Sequence, residues 1–208
     1  MPFWRRQKWS LEATIIFLTT IAWGWSIEKF NRKTWPCSCY NQGLTEQDFK
    51  MAKINRVAIY DMDGTIVDSS HRYRTIVDQN GERIDLGYWQ QNAHLAMEDK
   101  LLPLFKQYRA DLADENCYVI IATARVMFDN DWEFVNEILF APDYFISRNE
   151  GDTQSGTTLK INGLAKFFNL VNFKDADFVF YEDNVQYLKA VCDRFNIRGV
   201  YIPSVQGH

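Results

Sequence analysis

Arg56-Val57-Ala58-Ile59-Tyr60-Asp61-Met62-Asp63-Gly64-Thr65-Ile66-Val67-Asp68 is the stretch from which the rest of the chain can be placed. Val57–Tyr60 is a short apolar, β-favouring run, the pattern of a strand buried on both faces. It stops at two carboxylates, Asp61 and Asp63, one residue apart and followed by Gly64 and Thr65. A buried strand that ends in paired acids delivers them to the edge where open α/β sheets bind ligands. Side chains at i and i+2 of an extended segment point the same way, so both carboxylates can face one small site. Their repulsion is relieved by a divalent cation such as Mg²⁺, which takes oxygen ligands. Gly64 frees the backbone for a sharp turn, and the Thr65 hydroxyl adds a neutral donor, a candidate substrate contact. By composition alone the alternative is an Asp-rich β-turn. Context further along the chain decides between the two.

Downstream, Val67–Trp89 is polar and mixed, with a turn at Asn80-Gly81, and reads as a small insertion over the end of the first strand. Ala93–Asp114 carries apolar residues at helical spacing, with Pro103 near a boundary or kink. Tyr118–Ala122 is a second buried-strand run, closed by Thr123-Ala124-Arg125. A helix over Trp132–Leu139, a strand at Tyr144–Ser147 and a polar loop over Asn149–Thr158 follow. Leu159–Leu170 is helical in pattern, and Phe178–Tyr181 is a strand ending in Glu182-Asp183-Asn184. A helix near Val185–Phe195 and a strand near Gly199–Ile202 finish the series. Strands alternating with helices predict an α/β, Rossmann-like fold: a mostly parallel sheet with helices on both faces and a minimal cap.

Upstream, residues 1–50 read as a leader distinct from the domain of residues 51–208. Arg5, Arg6 and Lys8 precede Leu11–Ile27, an apolar segment short of the about 20 residues a membrane span requires. Lys29, Arg32 and Lys33 follow it, so flanking charge sets no orientation. Three readings stand: membrane contact through residues 11–27, an amphipathic helix docked on the domain, or a leader foreign to the fold with Met51 as its natural start. The leader carries seven Lys/Arg against four Asp/Glu, the remainder sixteen against twenty-three. An acidic body argues against a surface that coats nucleic acid, though not against a local basic groove. Four cysteines make no disulfide framework in 208 residues. Cys117 and Cys192 read as reduced core residues, and Cys37-Ser38-Cys39 lacks a nearby second pair for zinc. These features suit a cytoplasmic protein, tethered to a membrane only if the leader does so.

Three strand ends therefore offer polar groups: Asp61/Asp63, Thr123/Arg125 and Glu182/Asp183, with Lys160 at a helix start. In a parallel sheet they converge on one edge. This order, with the Asp-Met-Asp-Gly-Thr string, resembles the haloacid dehalogenase-like phosphatase superfamily from about Ile54 onward. The resemblance implies that Asp61 is the nucleophile forming an aspartyl-phosphate, and Asp63 the acid and then the base. It implies Mg²⁺ held by Asp61, the Asp63 carbonyl and Asp183, and phosphoryl oxygens bound by Thr123 and Lys160. Lys166 is the rival of Lys160. Where the family has Asp-Asp or Gly-Asp, this chain has Glu182-Asp183, so the resemblance assigns Glu182 no role of its own, a place behind the metal being one option.

His71-Arg72, Thr123-Ala124-Arg125 and Gly151-Asp152-Thr153 ahead of Lys160 resemble, more narrowly, the 3′-phosphatase domain of phage polynucleotide kinase-phosphatases. That likeness implies that Arg72 and Arg125 serve the substrate, which would be a phosphorylated nucleic-acid end. Tyr73, Tyr88 or Trp89 would stack on its terminal base. No Gly-x-x-x-x-Gly-Lys-Ser/Thr loop is present, so the kinase half is absent. The first rival is the same chemistry on a free nucleotide or other small phosphomonoester. The second is a membrane-tethered or partner-binding protein whose site is vestigial.

Overall fold

The computed structural model describes residues 54–204, Asn80 excepted. The leader over residues 1–50, its apolar segment 11–27 and the Cys37/Cys39 pair lie outside the described residues. β1 (Arg56–Tyr60) is the centre of a five-stranded, all-parallel sheet. The sheet also contains β6 (Cys117–Val126), β7 (Tyr144–Arg148), β8 (Asp177–Glu182) and β9 (Arg198–Tyr201), in the order β7-β6-β1-β8-β9. Arg56 is in register with Cys117 on one side and Asp177 on the other.

The period-2 alternation of β1 divides the core. Ala58 and Tyr60 pack with Val119, Ile121, Tyr108 and Phe134 on one face. Val57 and Ile59 pack with Ile120, Phe180, Leu164 and Val191 on the other. α2 (Phe105–Ala113) and α3 (Asp129–Phe134) cover the first face, α4 (Gly156–Ala165) and α5 (Val185–Phe195) the second. The chain winds from β1 out through β6 and β7, then returns to β8 on the other side of β1. That reversal is a topological switch point, where the carboxyl ends of the strands leave a crevice.

Between β1 and β6 lies the insertion, which runs further than Trp89. β2 (Val67–Asp68) pairs antiparallel with β5 (Lys100–Leu101), closing its base. Within it stand a single turn at Ser70–Arg72, a hairpin of β3 (Thr75–Asp78) and β4 (Gly81–Ile84), and α1 (Leu86–Gln91). Asp85 caps α1, accepting from the Tyr88 N–H at 3.1 Å. The helical pattern over Ala93–Asp114 is interrupted just ahead of Pro103, where a boundary or kink is expected. Ala93–Glu98 is a 3₁₀ turn, the chain extends through β5, and helix resumes at Phe105. Two causes are visible: Pro103 disfavours helix at Leu102, and the Leu102 N–H is taken by the Ile66 carbonyl at 3.0 Å. The helix expected from Trp132 starts at Asp129, where the Asp131 carboxylate accepts the Phe128 N–H at 2.9 Å. Among the described residues no helix is long and apolar enough to cross a membrane. Cys117 and Cys192 are free thiols.

Candidate active site

The turn after β1 is knotted around one carbonyl. Met62 O accepts from the N–H groups of Thr65, Ile66 and Val67, at 3.4, 3.0 and 2.9 Å. Gly64 sits in it at φ +74°, a conformation L side chains rarely adopt. Space requires glycine as well: a Cβ there would lie 2.1 Å from Asp183 Oδ2 and 2.8 Å from Ser204 Oγ. The tight turn thus lets the loop after β8 close against the loop after β1.

Asp61, Thr123 and Asp183 meet at this switch point, and Lys160 comes up beneath them from α4. Lys160 Nζ, fully buried, lies 2.5 Å from Asp61 Oδ1 and 2.5 Å from Glu182 Oε2. Lys166 is exposed and pairs with the Tyr144 hydroxyl, so Lys160 is the lysine at the site. Burial pushes Asp61 up to about 6, against the opposing pull of Lys160. Burial and the Asp61 charge push Glu182 up to about 8. Burial alone would lower Lys160, but the two carboxylates hold it above its ordinary value. Oxygens of Asp61, Glu182 and Asp183 lie within 4.8 Å of one another, all three residues buried. Three buried carboxylates against one ammonium leave negative charge in excess, which is the donor set a hard divalent cation fits. Glu182 is therefore inside the acidic group, bonded to Lys160 and, through Oε1, to the Asn184 N–H at 3.1 Å.

The other expected residues are distributed around this centre. The Thr123 hydroxyl accepts the Arg125 N–H at 3.1 Å and lines the cavity. Thr65 is fully buried, its hydroxyl 3.5 Å from Asp61 Oδ2, and does not line the cavity. The Asp63 carboxylate turns away from the acidic group. It accepts from Ser69 Oγ at 2.6 Å and from the Arg125 guanidinium through both oxygens, Nε to Oδ2 at 3.0 Å. Arg72 is fully buried and absent from the cavity wall, paired with Asp99 and Asp131. Neither carboxylate was singled out in the sequence: Asp99 sits in a segment patterned as helix, and Asp131 in an acidic helix start.

A cavity of about 860 Å³ opens above Asp61, within the range of small-molecule sites. The insertion contributes Tyr73, Ile84, Leu86 and Trp89, and the opposite wall is the loop Arg148–Gln154 with Tyr187. Tyr73 stacks on Trp89 with centroids 5.6 Å apart, whereas Tyr88 lies under Arg74 outside the cavity. The Arg148 guanidinium fastens its loop, donating to the carbonyls of Ala124 at 2.9 Å and Asp152 at 3.1 Å.

Residues 49–150 match the family described as Bacteriophage T5 5′-deoxynucleotidase. The 5′-deoxynucleotidase of Escherichia phage T5 is 37% identical over 100 residues, which are 47% of this chain and 41% of that protein. The chain thus spans less than half the length of that relative. Among solved structures, a chain of the Pnkp1/Rnl/Hen1 RNA repair complex aligns with a TM-score of 0.50 and 16% identity, over 95% of this chain and 57% of that one. A haloacid dehalogenase-like family protein from Streptococcus pneumoniae aligns at 0.45 and 11% identity, over 71% and 84%. The sheet order, the switch-point acids and the buried lysine give the chain a haloacid dehalogenase-like fold, and over residues 49–150 its sequence is similar to the T5 5′-deoxynucleotidase.

Proposed function

We propose that the protein is a Mg²⁺-dependent phosphomonoester hydrolase that works through an aspartyl-phosphate and takes nucleoside 5′-monophosphates, deoxynucleotides in particular. The observation that carries this reading is Asp61 at the end of β1. It is held by Lys160, ringed by Glu182 and Asp183, and set at the floor of a cavity roofed by Tyr73 and Trp89. Such a floor binds a phosphoryl group, and such a roof suits a planar base. The likeness to the T5 5′-deoxynucleotidase supports the same substrate class.

In the first displacement an Asp61 oxygen forms a bond to phosphorus while the bond to the leaving oxygen breaks, and Asp63 passes its proton to that oxygen. In the second, water attacks phosphorus, Asp63 takes the water proton, and Asp61 leaves as carboxylate. Thr123, which lines the cavity, stabilises the charge on the phosphoryl oxygens, and Lys160, buried beneath them, damps the negative charge of Asp61. Mg²⁺ held by Asp61 and Asp183, with the Asp63 carbonyl, would offset repulsion between carboxylate and phosphate. All groups used here lie between Asp61 and Asp183, so the chemistry does not call on the leader.

The 3′-phosphate of a nucleic-acid end is the second reading. It calls on Arg72 and Arg125 as substrate contacts, but Arg72 is wholly buried and both are bonded to carboxylates, Arg125 alone of the two lining the cavity. What favours it is that Arg83 and Arg148 line the same cavity. Phosphate release with Mg²⁺ from 5′- and 3′-mononucleotides, ribo and deoxy, and from a 3′-phosphorylated oligonucleotide separates the two. The 5′-deoxynucleotide should be hydrolysed fastest, with loss in Asp61→Asn. Preference for the oligonucleotide would replace the first reading by the second, and metal-dependent turnover of none, even of a chromogenic phosphate, would mean a vestigial site.

A further inference from the structure

The insertion reaches the reacting groups by a second route, beneath the cavity. Arg72 Nε and Nη2 donate to Asp99 Oδ1 and Oδ2, both at 2.7 Å, and Nη2 donates also to Asp131 Oδ1 at 2.7 Å. The same Asp131 oxygen accepts from Arg125 Nη1 at 3.0 Å. Arg125 Nε and Nη2 then grip the two oxygens of Asp63. A continuous relay of alternating charge results: Asp99, Arg72, Asp131, Arg125, Asp63. The side chains of Arg72, Asp99 and Asp131 are 0% exposed and that of Arg125 2%, whereas Asp63, at the cavity end, is 27% exposed. The Trp89 ring lies over both guanidiniums, 4.7 Å from Arg125 Cζ and 5.1 Å from Arg72 Cζ.

Geometry makes this more than packing. A guanidinium is planar, with its donors in a fixed fork, so holding one nitrogen and one face fixes the direction of the others. Asp131 holds Nη1 of Arg125 and Trp89 covers its face, which leaves Nε and Nη2 a single direction, that of Asp63. Arg125 cannot swing away without leaving Asp131 to share Arg72 alone, and an uncompensated buried charge is costly. Burial would lower Arg72 too, yet Asp99 and Asp131 hold it above its ordinary value, so its charge is permanent.

We propose that Asp131 is a positioning residue, which locks the Arg125 fork so that the Asp63 carboxyl is aimed at the leaving oxygen. The proposal rests on the reading of Asp63 as proton donor given above. A nucleoside alkoxide needs a proton to depart and p-nitrophenolate does not, so faulty aim damages one substrate and spares the other. General acid catalysis contributes about 10²–10⁴-fold. Asp131→Asn keeps the shape and one acceptor but removes the charge. Its kcat/KM for a deoxynucleoside 5′-monophosphate should fall at least ~10-fold further than for p-nitrophenyl phosphate.

The ratio of the two substrates is internal to one preparation, so it does not depend on the fraction folded. Asp63→Asn sets the ceiling. If Asp63→Asn is selective against the nucleotide and Asp131→Asn lowers both substrates equally, Asp131 only stabilises the fold and the proposal is overturned. If Asp63→Asn itself lowers both equally, the proton-donor reading fails and the proposal falls with it. Should Asp131→Asn not accumulate as folded protein, Asp131→Glu keeps the charge and displaces it by one methylene. The same selective loss is expected there, and equal losses again overturn the proposal.

Discussion

Gly64→Ala separates what the first turn does for the fold from what it does for the site. Two penalties are superimposed at this position. An L residue at φ +74° costs roughly 1–2 kcal/mol. For a domain of this size that lowers Tm by about 2–8 °C. The second is steric: the new Cβ would stand 2.1 Å from Asp183 Oδ2. An ordinary contact needs about 3.5 Å, so the Asp183 carboxylate must move by more than about 1 Å. A metal ligand is held to within about 0.2 Å, and a misplacement near 1 Å costs about 10²-fold in rate. Gly81→Ala is the control, since Gly81 has φ +101° with nothing within 4 Å of its Cβ. Differential scanning calorimetry should give a Tm loss in Gly64→Ala at least as large as that in Gly81→Ala, because the clash adds to the backbone penalty. Phosphate release should fall about 100-fold in Gly64→Ala and stay within threefold of wild type in Gly81→Ala. If Gly64→Ala loses stability but keeps its activity, the close approach to Asp183 has no part in the chemistry.

Three further outcomes are expected. Asp61→Asn should abolish phosphate release without lowering Tm, because Lys160 remains paired with Glu182 and one carboxylate repelling Glu182 is gone; retained turnover would remove Asp61 as nucleophile. Mg²⁺ at about 100 times its Kd should stabilise the protein by about 2.7 kcal/mol, and Asp183→Asn should remove most of that gain. An undiminished shift in Tm would place the cation elsewhere. Burial pushes the Cys117 thiol up to about 12 from an ordinary value of 9.0. The folded state therefore keeps a proton that the unfolded chain gives up, and stability falls as pH rises from 9 towards 12. Iodoacetamide at pH 8 should leave the Cys117 peptide unmodified in native protein and modify it in denaturant; equal labelling would contradict the burial.

The parallel sheet was legible because the strands around β1 are short apolar runs bounded by polar residues, and period and boundary are local signals. The meeting of Asp61, Thr123, Lys160 and Asp183 was legible for the same reason: each closes or opens a recognisable element, and a parallel sheet brings such ends together. Choosing Lys160 over Lys166 took only its place after the Gly/Thr loop. Arg72 was different. Its partner Asp131 is 59 residues away, and nothing in the spacing of either shows that they pair. Pro103 marked the break in the segment 93–114, but not its second cause, the Ile66 carbonyl that claims the Leu102 N–H from across the base of the insertion. Long-range polar pairing leaves no periodic trace, and that is where the sequence reading stopped.

The central place of β1 has a consequence for biogenesis. Both of its partners come later in the chain: β6 begins at Cys117 and β8 at Asp177. At about 5–20 residues per second, several seconds separate its emergence from the ribosome and that of its first neighbour. Through that interval Val57–Tyr60 is an apolar strand with two open edges, the kind of segment that pairs with strangers. Arg56 stands at one end of it, and Asp61 and Asp63 at the other. Charges flanking an unavoidable hydrophobic strand oppose such pairing. The carboxylates that would serve phosphoryl transfer thus also border the strand with charge during the seconds before the chain that completes the sheet has been made.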